Sequence, residues 1–178
     1  MKSFFREVVV TFAIAVAVFF LLQTTIQSSV VVGSSMEPSF QDGQRLIVNK
    51  AAYRFGEPSR GDIIIFHPPN EFGRDYIKRV IGLPGDTIEI KRGTVSVNGI
   101  AMKEPYIKAS PYYDIPLYRV KEDSYFVLGD NRNNSNDSHN GWTVPRQNVI
   151  GKALLSIWPP DEWSLAPNYP LQEQVGSR

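Results

Sequence analysis

Apolar and polar positions follow two different regimes along this chain. From Val8 to Leu22 the run VVVTFAIAVAVFFLL carries no charge, and the continuation QTTIQSSVVV prolongs the uncharged stretch. Together they exceed the roughly 20 residues that take a helix across a bilayer core. A helix apolar on every face has no side to offer water, so a core helix of a soluble domain fits the pattern poorly. Residues 8–28 are therefore predicted to form a transmembrane anchor. Lys2 and Arg6 precede it, and no basic residue follows until Arg45. The positive-inside tendency then sets residues 1–7 in the cytoplasm and sends residues 29–178 outside. A cleaved secretory signal is the competing reading. It shares the basic start and the apolar run, but it wants a small-residue cleavage site that does not clearly follow.

Beyond the anchor the pattern changes to short β-branched runs bounded by Gly, Pro, Asn and Asp. These are RLIVN from Arg45, DIIIF from Asp62, YIKRVIG from Tyr76, DTIEIK from Asp86, TVSVNG from Thr94 and SYFVLG from Ser124. All read as strands. Arg92-Gly93 and Asn98-Gly99 supply the chemistry of tight hairpin turns, so residues 86–102 are predicted to form a β-meander. No helical period of comparable strength follows the anchor, and the stretch from Glu104 to Pro116 reads as a surface loop. The expected fold class is mainly β, a single β-rich domain behind one N-terminal transmembrane helix. No order is assigned to the Pro-rich polar tail from Pro159 to Arg178.

Composition narrows the chemistry. With the anchor set aside, about 150 residues remain, enough for one core and one domain. Nineteen basic and 18 acidic residues leave a net charge of +1, without the one-sided charge that nucleic-acid binding needs. The absence of cysteine removes a thiol nucleophile, disulfides and cysteine-ligated metals. His67 and His139 are the only histidines, so a histidine-rich metal site is excluded and a Ser/His mechanism must use one of them.

Three segments could carry chemistry. The first is Gly33-Ser34-Ser35-Met36-Glu37-Pro38, a few residues past the predicted membrane exit, where small residues admit a substrate backbone. It lacks the second glycine of a G-x-S-x-G elbow, and no S-x-x-K spacing occurs in the chain. Ser35 is a candidate nucleophile, or a turn residue. The second is Lys78, set among apolar neighbours in the strand from Tyr76. An edge-strand lysine with its head in water is the plain reading; a buried lysine with its pKa lowered toward neutrality would be a base able to take a serine proton. The third is Gly129-Asp130-Asn131-Arg132-Asn133-Asn134-Ser135-Asn136-Asp137-Ser138-His139, which reads either as a turn with Asx and Ser caps and an Asp/Arg ion pair or as a support for an active site. It also offers a Ser35/His139/Asp137 triad. Asp137 and His139 would point the same way only if that segment were extended.

Taken together and in order, these segments resemble the type I signal peptidases, the bacterial leader peptidases. The anchor is similar to the family's transmembrane segment, Ser35 to Pro38 to its S-M-x-P box, and Arg60 to Phe66 to its R-G-D box. Tyr76 to Asp86 resembles its lysine box, and Gly129 to Ser138 its G-D-N-R-x-N-S-x-D-S box. The resemblance implies a Ser-Lys protease, with Ser35 as nucleophile and Lys78 as general base. It removes signal peptides from exported preproteins after a small-x-small motif, through an acyl-enzyme. Ser135 matches the serine that orients the lysine, Asp130, Arg132 and Asp137 take supporting positions, and the backbone N–H of Ser35 is one oxyanion donor. No metal or cofactor is implied. The partners are preproteins and the lipid bilayer, the protein is expected as a monomer in the cell membrane, and Phe40, Trp158 and Trp163 are candidates for the membrane interface. Two positions depart from the pattern. Gly33 stands where some members carry a serine hydroxyl as second oxyanion donor, and His139 stands where many carry arginine. Rival readings are a tethered β-module without catalysis and a Ser-Lys autoprotease of the repressor type.

Overall fold

The computed structural model describes residues 2–54, 56–71 and 73–175; the last three residues of the tail lie outside them. The uncharged N-terminal run divides into two elements. Lys2–Thr25 is a helix, α1, of which Phe4–Thr25 is long and apolar enough to cross a membrane, and its most apolar 18-residue window is not buried in the protein. Ile26–Val30 is strand β1, so the last three residues predicted for the anchor belong to a sheet. The reason is local: QSS interrupts the apolar run, and β1 finds a partner in β2, Arg45–Asn49.

The strands read from the sequence form as expected, within a residue or two. They are β3 (Ile63–Phe66), β4 (Tyr76–Gly82), β5 (Thr87–Lys91), β6 (Thr94–Val97) with the short β7 (Ile100–Ala101), and, after β8 (Ile115–Arg119), β9 (Ser124–Leu128). The β5–β6–β7 meander closes through Arg92-Gly93 and Asn98-Gly99, all four at positive φ. β8 rises at the end of the stretch read as a loop and pairs with β5. Besides β1 and β8, three further strands had no counterpart in the sequence reading: β10 (Val144–Pro145), the ten-residue β11 (Val149–Trp158) and β12 (Ser164–Leu165). A short helix α2, Leu171–Val175, follows.

Two antiparallel sheets result. The larger runs β1-β2-β11-β3-β4-β9-β10, with β12 beside β11; the smaller runs β7-β6-β5-β8. β3 explains why its sequence does not alternate. Ile63 and Ile65 enter one apolar cluster with Met36, Phe40 and Val48, while Ile64 and Phe66 enter another with Val80, Val127 and Val144. A strand covered on both faces reads as a continuous apolar run. A third cluster joins Ile81, Phe126 and Leu128 of the larger sheet to Ile88, Ile90 and Val97 of the smaller. The tail is docked here: Leu171 is buried in this cluster, and Asn168 accepts the Ile63 N–H at 3.2 Å.

Candidate active site

Ser35 sits in a loop pinned from both sides. Met36 and Phe40 are buried beneath it, which removes Phe40 from the candidates for a membrane interface; Trp158 and Trp163 remain exposed. Above it, the backbone N–H of Asn131 donates to the Ser35 carbonyl at 3.0 Å and the Asn131 side chain to the Ser34 carbonyl at 3.0 Å. The Asn-rich segment after β9 therefore clamps the serine loop. Gly129 makes this approach possible: a Cβ there would meet the Ser35 carbonyl oxygen at 2.5 Å and Ser135 Oγ at 2.3 Å. The bare α-carbon is a requirement that the sequence signalled only as a turn glycine.

Lys78 is not an edge lysine. β4 lies between β3 and β9, and Lys78 is 3% exposed. Its Nζ lies 2.7 Å from Ser35 Oγ and donates to the Ile77 carbonyl at 2.8 Å, with the Tyr76 ring 5.2 Å away. No carboxylate touches it among the described residues. Burial therefore dominates and pushes its pKa down to about 8, against the more distant pull of Asp137 and Asp130. A cleft of about 630 Å³ opens on the pair, walled by Val30, Val32, Tyr76 and Ile77.

The remaining site residues divide by role. Asp130 is fully buried and takes two hydrogen bonds from Arg79, at 2.9 and 2.7 Å, with a third from Ser39 at 2.5 Å. Arg132 donates to both oxygens of Glu104 at 2.7 Å and to the Gly129 carbonyl. The Asp/Arg pair expected within the segment thus does not form, because each charge finds a partner on a different element. Sequence reasoning missed Arg79 and Glu104, which lie 51 and 28 positions away. Among the described residues Ser135 Oγ is buried without a hydrogen-bond partner, so the bond to Lys78 that the resemblance implies is not made in this geometry. Asp137 and His139 do come together, Oδ1 to Nδ1 at 2.8 Å, because Asp137 is extended at the cap of the short turn Ser138–Asn140. Among the described residues His139 makes no hydrogen bond to Ser35, whose Oγ is engaged by Lys78. The Gly33 N–H is taken by Asp42 Oδ1 at 2.7 Å, and no cluster of three metal-binding side chains is found among the described residues.

A serine and a buried lysine thus lie at hydrogen-bond distance in one cleft, and comparison with known proteins gives the family. The family model described as signal peptidase, peptidase S26, matches residues 5–158. The chain belongs to the signal peptidase family. A probable signal peptidase I-1 of Synechocystis sp. is 46% identical over 136 residues, covering 72% of this chain and 69% of that protein. A signal peptidase I of Leptolyngbya laminosa is 48% identical over 132 residues, covering 70% of this chain but only 65% of its own length. Signal peptidase IB of Staphylococcus aureus is 33% identical over 182 residues, which takes in 92% of this chain and 94% of that protein. The boxes read from the sequence therefore pointed to the right family, and with it to an endopeptidase of the hydrolase class. The family match runs from α1 through β11 and ends at Trp158.

Proposed function

We propose that this signal peptidase is a membrane-anchored Ser-Lys endopeptidase that removes signal peptides from exported preproteins after a small-x-small motif. The observation that carries the reading is the 2.7 Å approach of Lys78 Nζ to Ser35 Oγ inside a cleft where the lysine is buried and its pKa is lowered to about 8. Unprotonated Lys78 accepts the Ser35 proton as Oγ bonds to the scissile carbonyl carbon. The ammonium then protonates the leaving amine as the C–N bond breaks. Water, giving its proton to the same lysine, bonds to the acyl carbon, and the ester C–O bond breaks as Ser35 Oγ takes that proton back. The Ser35 backbone N–H faces the developing oxyanion. Gly33 offers no hydroxyl for a second donor. β1 is an edge strand whose end lines the cleft, so an extended substrate can add alongside it.

The anchor belongs to the same reading. α1 sits in the bilayer with its N-terminus on the cytoplasmic side, and the β-rich domain works outside as a monomer, which brings the cleft to the membrane surface where a preprotein's apolar segment also lies. Ser135, Asp130, Arg132 and Asp137 hold the loops around the dyad.

The deciding experiment is cleavage of a detergent-solubilised Ala-x-Ala preprotein by wild type, Lys78→Ala and His139→Ala, with product mass locating the cut. Loss of activity in Lys78→Ala alone, with cutting after the small residue, supports the reading. The Asp137–His139 pairing favours a triad on one point, and equal loss in the folded His139→Ala would move the base to the histidine.

A further inference from the structure

Asp137 and His139 form a pair beside the dyad that the reaction above does not use. Asp137 is fully buried. Its Oδ2 accepts the Gly129 N–H at 2.9 Å, and its Oδ1 accepts the His139 backbone N–H at 3.1 Å and faces His139 Nδ1 at 2.8 Å. The imidazole is stacked on Tyr113 at 4.4 Å, and its side chain is 21% exposed, so solvent protons reach it while its position is fixed.

Two carboxylates bear on Lys78, Asp137 and Asp130, and their counter-charges differ. Asp130 is matched by the permanent cation of Arg79 in a fully buried, two-pronged ion pair. Asp137 has no arginine or lysine against it among the described residues; its one cationic partner is His139, charged only when protonated. The other groups around the imidazole hold their charge. Tyr113 is kept neutral because burial raises its pKa. Beside it Arg132 and Glu104 cancel one another. On its own segment Asn136 and Asn140 are uncharged, bonded to each other, and Asn136 also bonds to the Tyr76 hydroxyl. An imidazole is the one ordinary side chain that changes charge near neutrality.

We infer that His139 is a positioning residue for the Ser35–Lys78 reaction, setting through buried Asp137 the pH at which Lys78 gives up its proton. The inference rests on the dyad reading. With His139 neutral, the uncompensated charge of Asp137 holds the proton on Lys78. A positive charge at position 139 offsets that pull, and Lys78 then deprotonates more readily.

The test is kcat/KM against pH, from 5.5 to 10, for the full chain in detergent with a preprotein substrate. It compares wild type, His139→Arg, His139→Phe and Lys78→Ala. Arginine fixes the positive charge, while phenylalanine keeps the stacking on Tyr113 and removes the charge. The acid limb should lie lowest for His139→Arg and highest for His139→Phe, with wild type between them. The outer two should be separated by roughly half to one pH unit, about three- to tenfold in rate on the acid side, with all three converging above pH 9. In an Asp137→Asn background the separation should vanish. Superimposed limbs with Lys78→Ala inactive overturn this inference alone; an active Lys78→Ala overturns it together with the dyad. If His139→Arg does not fold, the displacement of His139→Phe from wild type decides.

Discussion

Lys78 and Arg79 are adjacent on β4, both buried, both basic, and they live in opposite electrostatic worlds. Arg79 is fully enclosed and fully satisfied: two bonds to Asp130, one each to the carbonyls of Gly61 and Pro167, and the Tyr106 ring 4.1 Å from its guanidinium carbon. Lys78 has a serine hydroxyl, one backbone carbonyl and no carboxylate in contact. A strand sends consecutive side chains to opposite faces, and here one face ties the serine loop, the Asn-rich segment and the tail together while the other opens on the cleft. A buried cation that is matched is architecture. One left unmatched is strained toward losing its proton, which is what a general base requires.

The comparison breaks most sharply if charge at position 78 is made permanent. Lys78→Arg keeps the cation but cannot lose its proton, so activity should fall roughly 10²–10⁴-fold, the usual worth of general acid-base catalysis. The check is preprotein cleavage beside a circular-dichroism spectrum, and a folded Lys78→Arg enzyme with near-normal kcat would mean that Lys78 is not the base. At the neighbouring position the larger effect is on stability. Arg79→Met leaves Asp130 buried without its counter-charge and should cost about 3–5 kcal/mol, read by urea denaturation of the solubilised protein. A loss under 1 kcal/mol would show that Ser39 and solvent replace the guanidinium, and the contrast would lose its structural half.

How much of this was legible in the sequence depends on where each residue's partner lies. The apolar N-terminal helix, the meander and the strand bearing Lys78 announce themselves locally, through uncharged length, alternation and turn residues. The boxes identified the family because each is a contiguous string. What escaped was long-range or ambiguous. VIGKALLSIW forms the longest strand, β11, yet it mixes Ala, Leu and Lys, which suit a helix equally, and two register shifts against β2 and one against β3 spoil its alternation. Arg79 could not be matched to Asp130, nor Arg132 to Glu104, without the fold. Phe40 looked like an interfacial aromatic because nothing local says that its loop folds back over β3. The burial of Lys78 depends on β9 covering the far side of β4, a pairing that no stretch of β4 encodes.

The unmatched lysine should also be visible without substrate. Its pKa falls from 10.5 to about 8, so between those values the folded protein holds fewer protons than the unfolded chain, and stability rises with pH across that window. Below pH 8 the full cost applies, about 3 kcal/mol at 1.36 kcal/mol per unit. Lys78→Met, similar in length and apolar, should therefore be more stable than wild type by up to that amount at pH 7, with the gap closing as pH rises through 8 toward 10.5. Denaturation midpoints at pH 7 and pH 10 measure it. A gap that does not narrow with pH would assign the gain to packing rather than to a buried ammonium.

The smallest expected effect tests how the face bearing Lys78 is completed. A neutral amine that points its lone pair at the Ser35 hydroxyl keeps two N–H donors. One reaches the Ile77 carbonyl, and the other needs an acceptor. Among the described residues Ser135 Oγ is buried without a partner, and it lies with the Ser35 carbonyl on the open side of the bare Gly129 α-carbon, so it is the acceptor expected once Lys78 is neutral. Ser135→Ala removes a hydroxyl that is unsatisfied in the resting geometry, so stability should hold or rise by up to about 1 kcal/mol. The loss should fall on kcat, roughly tenfold, because the amine is no longer oriented when it receives the serine proton. Thermal unfolding and steady-state kinetics on the same preparation separate the two. If Ser135→Ala destabilises the fold by several kcal/mol and leaves kcat unchanged, Ser135 belongs with Arg79 as architecture, and the division between the two faces of β4 is less clean than the resting geometry indicates.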